Sequence, residues 1–287
     1  MPNNTILITG ASTGFGRDAA ETLKRAGHVV FASMRDPQGK NREHADTLRE
    51  QGIDVIELDV TKNDSVERAV HSMLAKAGRI DVLINNAGIA SAGVTEAFTS
   101  EQAQALFDVN LFGLLRVTRA VLPIMRRERR GLIINIGSIL GRVTFPFFGI
   151  YGASKFAVEA LSDSLRYELS QLGIEVVLVQ PSAHPTPMYS SIQQPADPRR
   201  VAEYGKVGEI PGALFEHFTS FFQSPPAPNP HDVADAITKL VAQPKGSRTA
   251  RTVVGAAFGS DKVNEQVAPV QAEVVNALGL GHLANIV

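Results

Sequence analysis

The sequence contains no cysteine among its 287 residues. That excludes a disulfide scaffold, thiolate catalysis and cysteine-ligated zinc, and it fits a reducing compartment. Charge of one sign is also missing: 28 Lys and Arg stand against 29 Asp and Glu, for a formal net charge of −1. Nothing in the overall field therefore points to nucleic acid or to an anionic membrane as a partner. No apolar run approaches the length needed to cross a bilayer. The opening residues, Met1 to Thr5, lack the basic stretch and apolar segment of a signal peptide, so a cytoplasmic location is expected. None of the seven histidines stands in an H-x-x-x-H or H-E-x-x-H pattern, and no metal site is expected.

With 44% hydrophobic and 20% charged residues, a chain of this length can bury enough surface to fold without a metal or disulfide. Its one basic run, Arg126, Arg127, Arg129 and Arg130, falls at the end of an expected long helix. Cations there complement the helix dipole and stay solvated, and no interleaved aromatics are present to stack bases. Residues 5–9, 29–32, 55–58, 81–84, 132–136, 176–179 and 251–254 read as strands, and 14–26, 64–77, 101–127 and 151–172 as helices. Near-continuous apolar strands separated by helices indicate a parallel sheet covered on both faces. Right-handed crossovers then give an α/β, doubly wound parallel seven-stranded sheet whose ligand crevice lies at the carboxyl ends of the strands. One domain over residues 1–287 is expected.

The alternation breaks at about Pro181. Between Pro185-Thr186-Pro187 and Pro225-Pro226-Ala227-Pro228 the chain carries a block of phenylalanines, Phe215, Phe218, Phe221 and Phe222. Long irregular insertions are lids or linkers, and aromatic content favours a lid. Residues 186–230 are therefore expected to be a substrate lid and 261–287 a C-terminal tail. The phenylalanines suit either core packing or a substrate wall.

The residues that carry chemistry fall just after the expected strands. The first strand runs into Thr9-Gly10-Ala11-Ser12-Thr13-Gly14-Phe15-Gly16, and a helix follows. Glycines at such a junction let the backbone turn tightly and approach a pyrophosphate, while the helix N-terminus offers free N–H groups. A glycine-rich turn alone could be structural; its place between strand one and helix one favours nucleotide binding. Asp59-Val60 follows the third strand, Asn85-Asn86-Ala87-Gly88 the fourth, and Ser138 the fifth. Asn110 lies inside the long helix, and Tyr151-Gly152-Ala153-Ser154-Lys155 begins thirteen residues after Ser138.

From residue 5 to about 186 these stations resemble, in order, the motifs of the short-chain dehydrogenases/reductases. The resemblance implies a Rossmann fold and hydride transfer between a nicotinamide cofactor and a carbonyl or secondary alcohol. It implies a catalytic set of Asn110, Ser138, Tyr151 and Lys155, with Asn110 supporting a water-linked proton route to Lys155. It implies a cofactor site formed by Gly10, Ser12, Gly14, Phe15, Gly16, Arg35, Asp59, Val60, Asn86, Ala87, Gly88, Pro181 and Thr186, with Tyr151 and Lys155 shared. Assembly as a homodimer or homotetramer through helices 101–127 and 151–172 is a further implication. Members acting on steroids or retinoids are most similar around Met34-Arg35-Asp36 and the Tyr151 helix. One departure is Pro181-Ser182-Ala183-His184-Pro185-Thr186, where Ser182 stands in place of the family's glycine and lacks its conformational freedom. His184 lies beside the expected nicotinamide site.

Residues four apart on a helix share a face, so Tyr151 and Lys155 point the same way. A phenol has an ordinary pKa near 10, poorly matched to proton transfer at neutral pH, and a nearby ammonium is expected to lower it. Lys155 can also hold the nicotinamide ribose, and Ser138 can orient the substrate oxygen. An acidic residue closing the second strand would bind the ribose of NAD. Here that slot holds Met34, followed by Arg35, whose guanidinium suits a 2′-phosphate; NADP(H) is favoured over NAD(H). A register shift of two would instead put Asp36 in the acidic slot. An epimerase or dehydratase, or a non-catalytic NADP(H)-binding redox sensor, are the competing functions. The glycine spacing argues against the former and the retained Tyr151 against the latter. The expected partner is a small-molecule carbonyl or alcohol.

Overall fold

A computed structural model describes residues 3–225 and 227–287; Pro226, in the expected boundary of the insertion, lies outside the described residues, as do Met1 and Pro2. The strands are β1 (Thr5–Ile8), β2 (Val29–Met34), β3 (Asp54–Glu57), β4 (Val82–Asn85), β5 (Gly131–Ile136), β6 (Ile174–Pro181) and β7 (Arg251–Val254). All pair in parallel in the order β3-β2-β1-β4-β5-β6-β7, the expected doubly wound sheet. Among the described residues ten α-helices lie between and after them: α1 (Gly14–Arg25), α2 (Arg42–Glu50), α3 (Asn63–Ala77), α4 (Ser100–Phe107), α5 (Leu114–Glu128), α6 (Gly149–Ser170), α7 (Pro198–Glu203), α8 (Lys206–Phe222), α9 (His231–Ala242) and α10 (Ser260–Ala277).

The period-two alternation of a strand sends neighbouring side chains to opposite faces, and both faces here are apolar. Ile6 and Ile8 pack with Ala19, Leu23, Ile237 and Leu240 from α1 and α9. Leu7, between them, packs with Met73, Val117 and Met125 from α3 and α5 on the other side. A buried polar chain ties the second layer to the sheet. Asn85 Nδ2 donates to Thr118 Oγ1 at 3.1 Å and to Asn135 Oδ1 at 2.9 Å, and Asn135 Nδ2 donates to Ser162 Oγ at 2.8 Å. Two of the four clustered arginines are spent on the fold: Arg130 pairs with Asp81 at 2.7 Å, and Arg129 donates to the Gln171 carbonyl at 2.8 Å.

Two expectations need correction. The helix expected over 101–127 is broken by a π-helical turn at Asp108–Gly113 between α4 and α5. The widened turn carries Asn110, and such turns recur at functional sites. The residues expected as an irregular lid are largely helical, containing α7 and α8 and ending just before α9. The expected tail contains α10 and then docks back on the fold, where Val287 N donates to the Ser170 carbonyl at 3.2 Å. Among the described residues no helix is long and apolar enough to cross a membrane.

Candidate active site

Two adjoining cavities lie at the carboxyl ends of the strands. One is a groove along the ends of β1, β2 and β3, lined by Gly10, Ser12, Gly14, Arg35, Asp59 and Val60. The other is a largely apolar pocket holding Ser138, Tyr151 and Lys155. They share Phe15, Asn86, Gly88, Thr186 and Met188, so together they form one continuous crevice. Ala87 lines the groove, Pro181 lines the pocket, and Asn110 and Gly16 sit behind the walls as packing elements.

The groove's shape follows from close backbone approach. Gly10 has φ +67°, and a Cβ there would come within 2.8 Å of the Ala87 Cα. A Cβ on Gly16 would lie 2.3 Å from Asn86 Nδ2, so α1 can start against the turn only with glycine there. The Thr9 hydroxyl accepts from the N–H groups of Asn86 and Ala87, both at 3.0 Å, and pins the β4 loop to the end of β1. The Thr13 side chain does not cap α1, and no acidic residue occupies its first turn. Free N–H groups at the positive end of a helix dipole, facing a groove without Cβ atoms, fit the pyrophosphate of a dinucleotide.

At the far end of the groove Arg35 is exposed, with Lys40 and Asn41 beside it, two residues that no motif marked. Asp36 is otherwise engaged. Its φ is +45°, and its carboxylate accepts from Gly39 N at 3.0 Å and Lys40 N at 2.8 Å, closing a turn. Burial pushes the Asp59 carboxyl up, but hydrogen bonds from the Thr61 hydroxyl and N–H, with the charges of Arg35 and Lys62, outweigh it and hold the group below the ordinary range.

In the pocket, Lys155 Nζ lies 5.7 Å from the Tyr151 ring centroid and donates to the Ile136 carbonyl at 2.9 Å. Burial draws the Lys155 ammonium down to about 8, against the opposing pull of the Glu159 carboxylate. The expected lowering of the Tyr151 phenol is not what this arrangement produces. Burial pushes it up to about 12, and the hydrogen bond with Ser138 offsets only part of that. Desolvation dominates because the phenol is buried in the pocket, while the Lys155 ammonium is aimed at a backbone carbonyl. Asn110 is fully engaged within the protein: its Oδ1 accepts from Ile89 N and its Nδ2 donates to Ile89 O, both at 2.9 Å, and to Ser154 Oγ at 3.1 Å.

Ser182 does not suffer from replacing a glycine. Its N–H continues the sheet by donating to Val254 O at 2.9 Å, an extended geometry open to any residue. The glycine needed here is Gly255, at φ +85°, where a Cβ would come within 2.3 Å of Ser182 Oγ. His184 is buried edge-on to Phe15 and donates from Nδ1 to the Ser182 carbonyl at 2.9 Å. That leaves its Nε2, like Ser182 Oγ, buried in the pocket wall without a protein partner. Such orphaned groups suit a ligand with polar atoms, as the carboxamide of a nicotinamide has. Tyr189 also lines the pocket, and burial together with nearby Tyr151 holds its phenol well above the usual value. It lies in the insertion, in no recognisable motif.

A phenol raised this far stays protonated throughout the neutral range in cofactor-free protein. Subtracting the ultraviolet tyrosinate titration of Tyr151→Phe from that of wild type should show no ionisation step until the pH nears 12. A step between neutrality and the ordinary phenol range would contradict this account of the pocket.

The model of the short chain dehydrogenases matches residues 4–197. A 3-ketodihydrosphingosine reductase from Bacteroides thetaiotaomicron is 44% identical over 63% of this chain and 64% of its own, and bovine retinol dehydrogenase 8 is 33% identical over 86% and 81%. The chain thus spans somewhat under two thirds of the first of these. An actinorhodin polyketide ketoreductase solved with NADPH superposes with a TM-score of 0.74 at 29% identity, covering 90% of this chain and 97% of that one. Another solved neighbour carries NADH, so both cofactors occur among structures with this fold. The family match covers β1 through the start of the insertion, well over half of the chain: the chain belongs to the short-chain dehydrogenases.

Proposed function

We propose that this protein is an NADP(H)-preferring oxidoreductase acting on a carbonyl or secondary alcohol, with Tyr151 as its proton-transfer residue. The observation that carries the reading is the placement of Ser138, Tyr151 and Lys155 in one apolar pocket continuous with the glycine-lined groove. When bound in the groove, NADP(H) would supply hydride-transfer chemistry at the carbon of the reacting group. The Ser138 hydroxyl donates to the substrate oxygen and orients it towards Tyr151. The phenol passes its proton to that oxygen in reduction and takes it back in oxidation. A Tyr151 that is protonated at neutral pH is suited to the reducing direction. Lys155, one proton spent on Ile136 O, keeps its others for the ribose and the phenol. Asn110 holds the Ile89 main chain, and through it the Gly88 wall beside Lys155.

The insertion over 186–230 acts as a lid in two parts. Its first part is stitched to the body: Gln193 N donates to Ala90 O at 2.9 Å, Asp197 N to Ala97 O at 3.1 Å, and Arg200 pairs with Glu96 at 2.9 Å. Helix α8 follows Gly205, at φ +52° with nothing crowding its Cβ position, and α8 has no buried residue. It touches the pocket through aromatic edges, Phe218 to Phe148 at 6.5 Å and Phe222 to Tyr189 at 4.7 Å. Few buried contacts and a glycine at one end make α8 the moving part, and its closure would exclude water from the hydride path.

Three measurements test this reading. Tyr151→Phe should lower kcat by about 10²–10⁴, the usual worth of general acid–base catalysis, with NADP(H) affinity nearly intact; near-normal turnover would remove the assignment. Limited proteolysis should cut within 205–225 in the cofactor-free protein, with NADP(H) plus a competitive inhibitor protecting the segment; unchanged cleavage would argue against a lid. Arg35→Ala should weaken NADP(H) by about ten- to a hundredfold, as loss of a hydrogen bond to a charged group implies, while leaving NAD(H) almost unchanged. Equal weakening of both cofactors would place the phosphate elsewhere.

A further inference from the structure

Helix α6 carries Tyr151, Lys155 and Glu159 at successive intervals of four, so the three share one face. Glu159 is only 2% exposed, and the reaction described above does not use it. A carboxylate remains charged at such depth only where hydrogen bonds and opposite charge replace its hydration. Three separate parts of the fold supply them. Gln180 of β6 donates from Nε2 to Oε1 at 2.6 Å, and Arg251 of β7 from Nε to Oε2 at 2.8 Å. Arg142, just after β5, brings its Nε to 3.8 Å from Oε2 and donates to Asn264 Oδ1 of α10 at 2.8 Å. Asn264 Nδ2 donates in turn to Gln180 Oε1 at 2.7 Å, closing a ring about the carboxylate. Arg251 also pairs with Asp163 at 2.5 Å, so the two guanidiniums face two carboxylates.

Lys155 is the cation next along the helix face. Its nearest contacts among the described residues are neutral: Tyr151 from its own helix, the Ile136 carbonyl from β5, and the Gly88 main chain with Asn110 behind it. Glu159 is thus the counter-charge that the interior offers to this lysine.

We propose that Glu159 is a positioning residue for the active site: its carboxylate, locked by Gln180, Arg251 and Arg142, keeps the buried Lys155 ammonium charged where it faces Tyr151 and the cofactor. The lie of β7 and α10, which hold Arg251 and Asn264, thereby bears on the charge at the reaction centre. The role assigned to Lys155 rests on the oxidoreductase reading; the pairing of the two charges does not. Burial already draws Lys155 down to about 8 while Glu159 pulls the other way, so loss of the carboxylate lowers the lysine further and leaves it neutral over more of the physiological range.

The test is the titration of Lys155 in cofactor-free protein, followed by NMR of isotopically labelled lysine and assigned by the signal lost in Lys155→Met. Wild type should titrate near 8. Glu159→Gln should titrate about one unit or more lower, the usual effect of removing an adjacent opposite charge. Glu159→Asp, which retracts the charge by one methylene, should fall between them. Asn264→Ala opens the ring but leaves the carboxylate, and should titrate close to wild type. In turnover, the alkaline limb of the pH profile should move to lower pH in Glu159→Gln and stay near its place in Asn264→Ala. An unchanged lysine titration in Glu159→Gln, or an equal shift in Asn264→Ala, would overturn the proposal. If Glu159→Gln does not fold, Glu159→Asp against Asn264→Ala decides in the same way. A normal lysine shift without turnover of any carbonyl substrate would count against the oxidoreductase reading alone.

Discussion

Parallel pairing brings every strand of the sheet to its carboxyl end at one edge, and the crevice exists because of it. Chain order reverses between β1 and β4, so the crossovers leave to opposite faces and open a gap that neither layer of helices fills. The loops leaving these strands stand only a strand spacing apart, about 4.8 Å. That proximity explains the glycines at 10 and 16, whose Cβ atoms would strike the β4 loop, and the Thr9 hydroxyl that bonds across to Asn86 and Ala87. Ser138 leaves the next strand along, and α6 then delivers Tyr151 and Lys155 to the same edge.

Burying that chemistry carries an electrostatic cost, which the protein meets unevenly. Burial holds Tyr151 in its neutral form and weakens the charge on Lys155. The countervailing charge comes from beneath, through Glu159 and the ring around it, rather than from the solvent side. The groove differs: Arg35 and Lys40 are exposed, and Asp59 is satisfied by its own turn. Weak solvation therefore tunes the reacting end, while exposed charge is available to recognise the distant end of a dinucleotide.

Much of this was legible in the sequence because it depends on short-range geometry. The turn from Thr9 to Gly16, the Tyr151–Lys155 spacing and the apolar runs of the strands each reflect local sterics or a single helical face. The strand expected at 251–254 is β7 to the residue. The insertion was read less well. Its prolines suggested irregular chain, yet Pro198 stands at the start of α7, where a missing N–H costs nothing, and Pro211 is accommodated inside α8. The phenylalanines were ambiguous because an aromatic stripe looks the same against a core or a cavity; contact with Phe148 and Tyr189 puts Phe218 in the pocket wall.

The sequence by itself determined the layered α/β sheet, the crevice edge and the residues that meet there, since periodicity and turn chemistry act over a few residues. Only the tertiary structure decided how those residues are held and charged. Ser182 is harmless because Gly255, distant in the chain, gives way to it. Asn110 reaches Ile89 because the long helix opens into a π turn. Glu159 gains its partners from Arg142, Gln180, Arg251 and Asn264, which share no local pattern. The phenol of Tyr151 rises rather than falls for the same reason: desolvation depends on how elements far apart in the sequence close over it, and no local spacing encodes that closure.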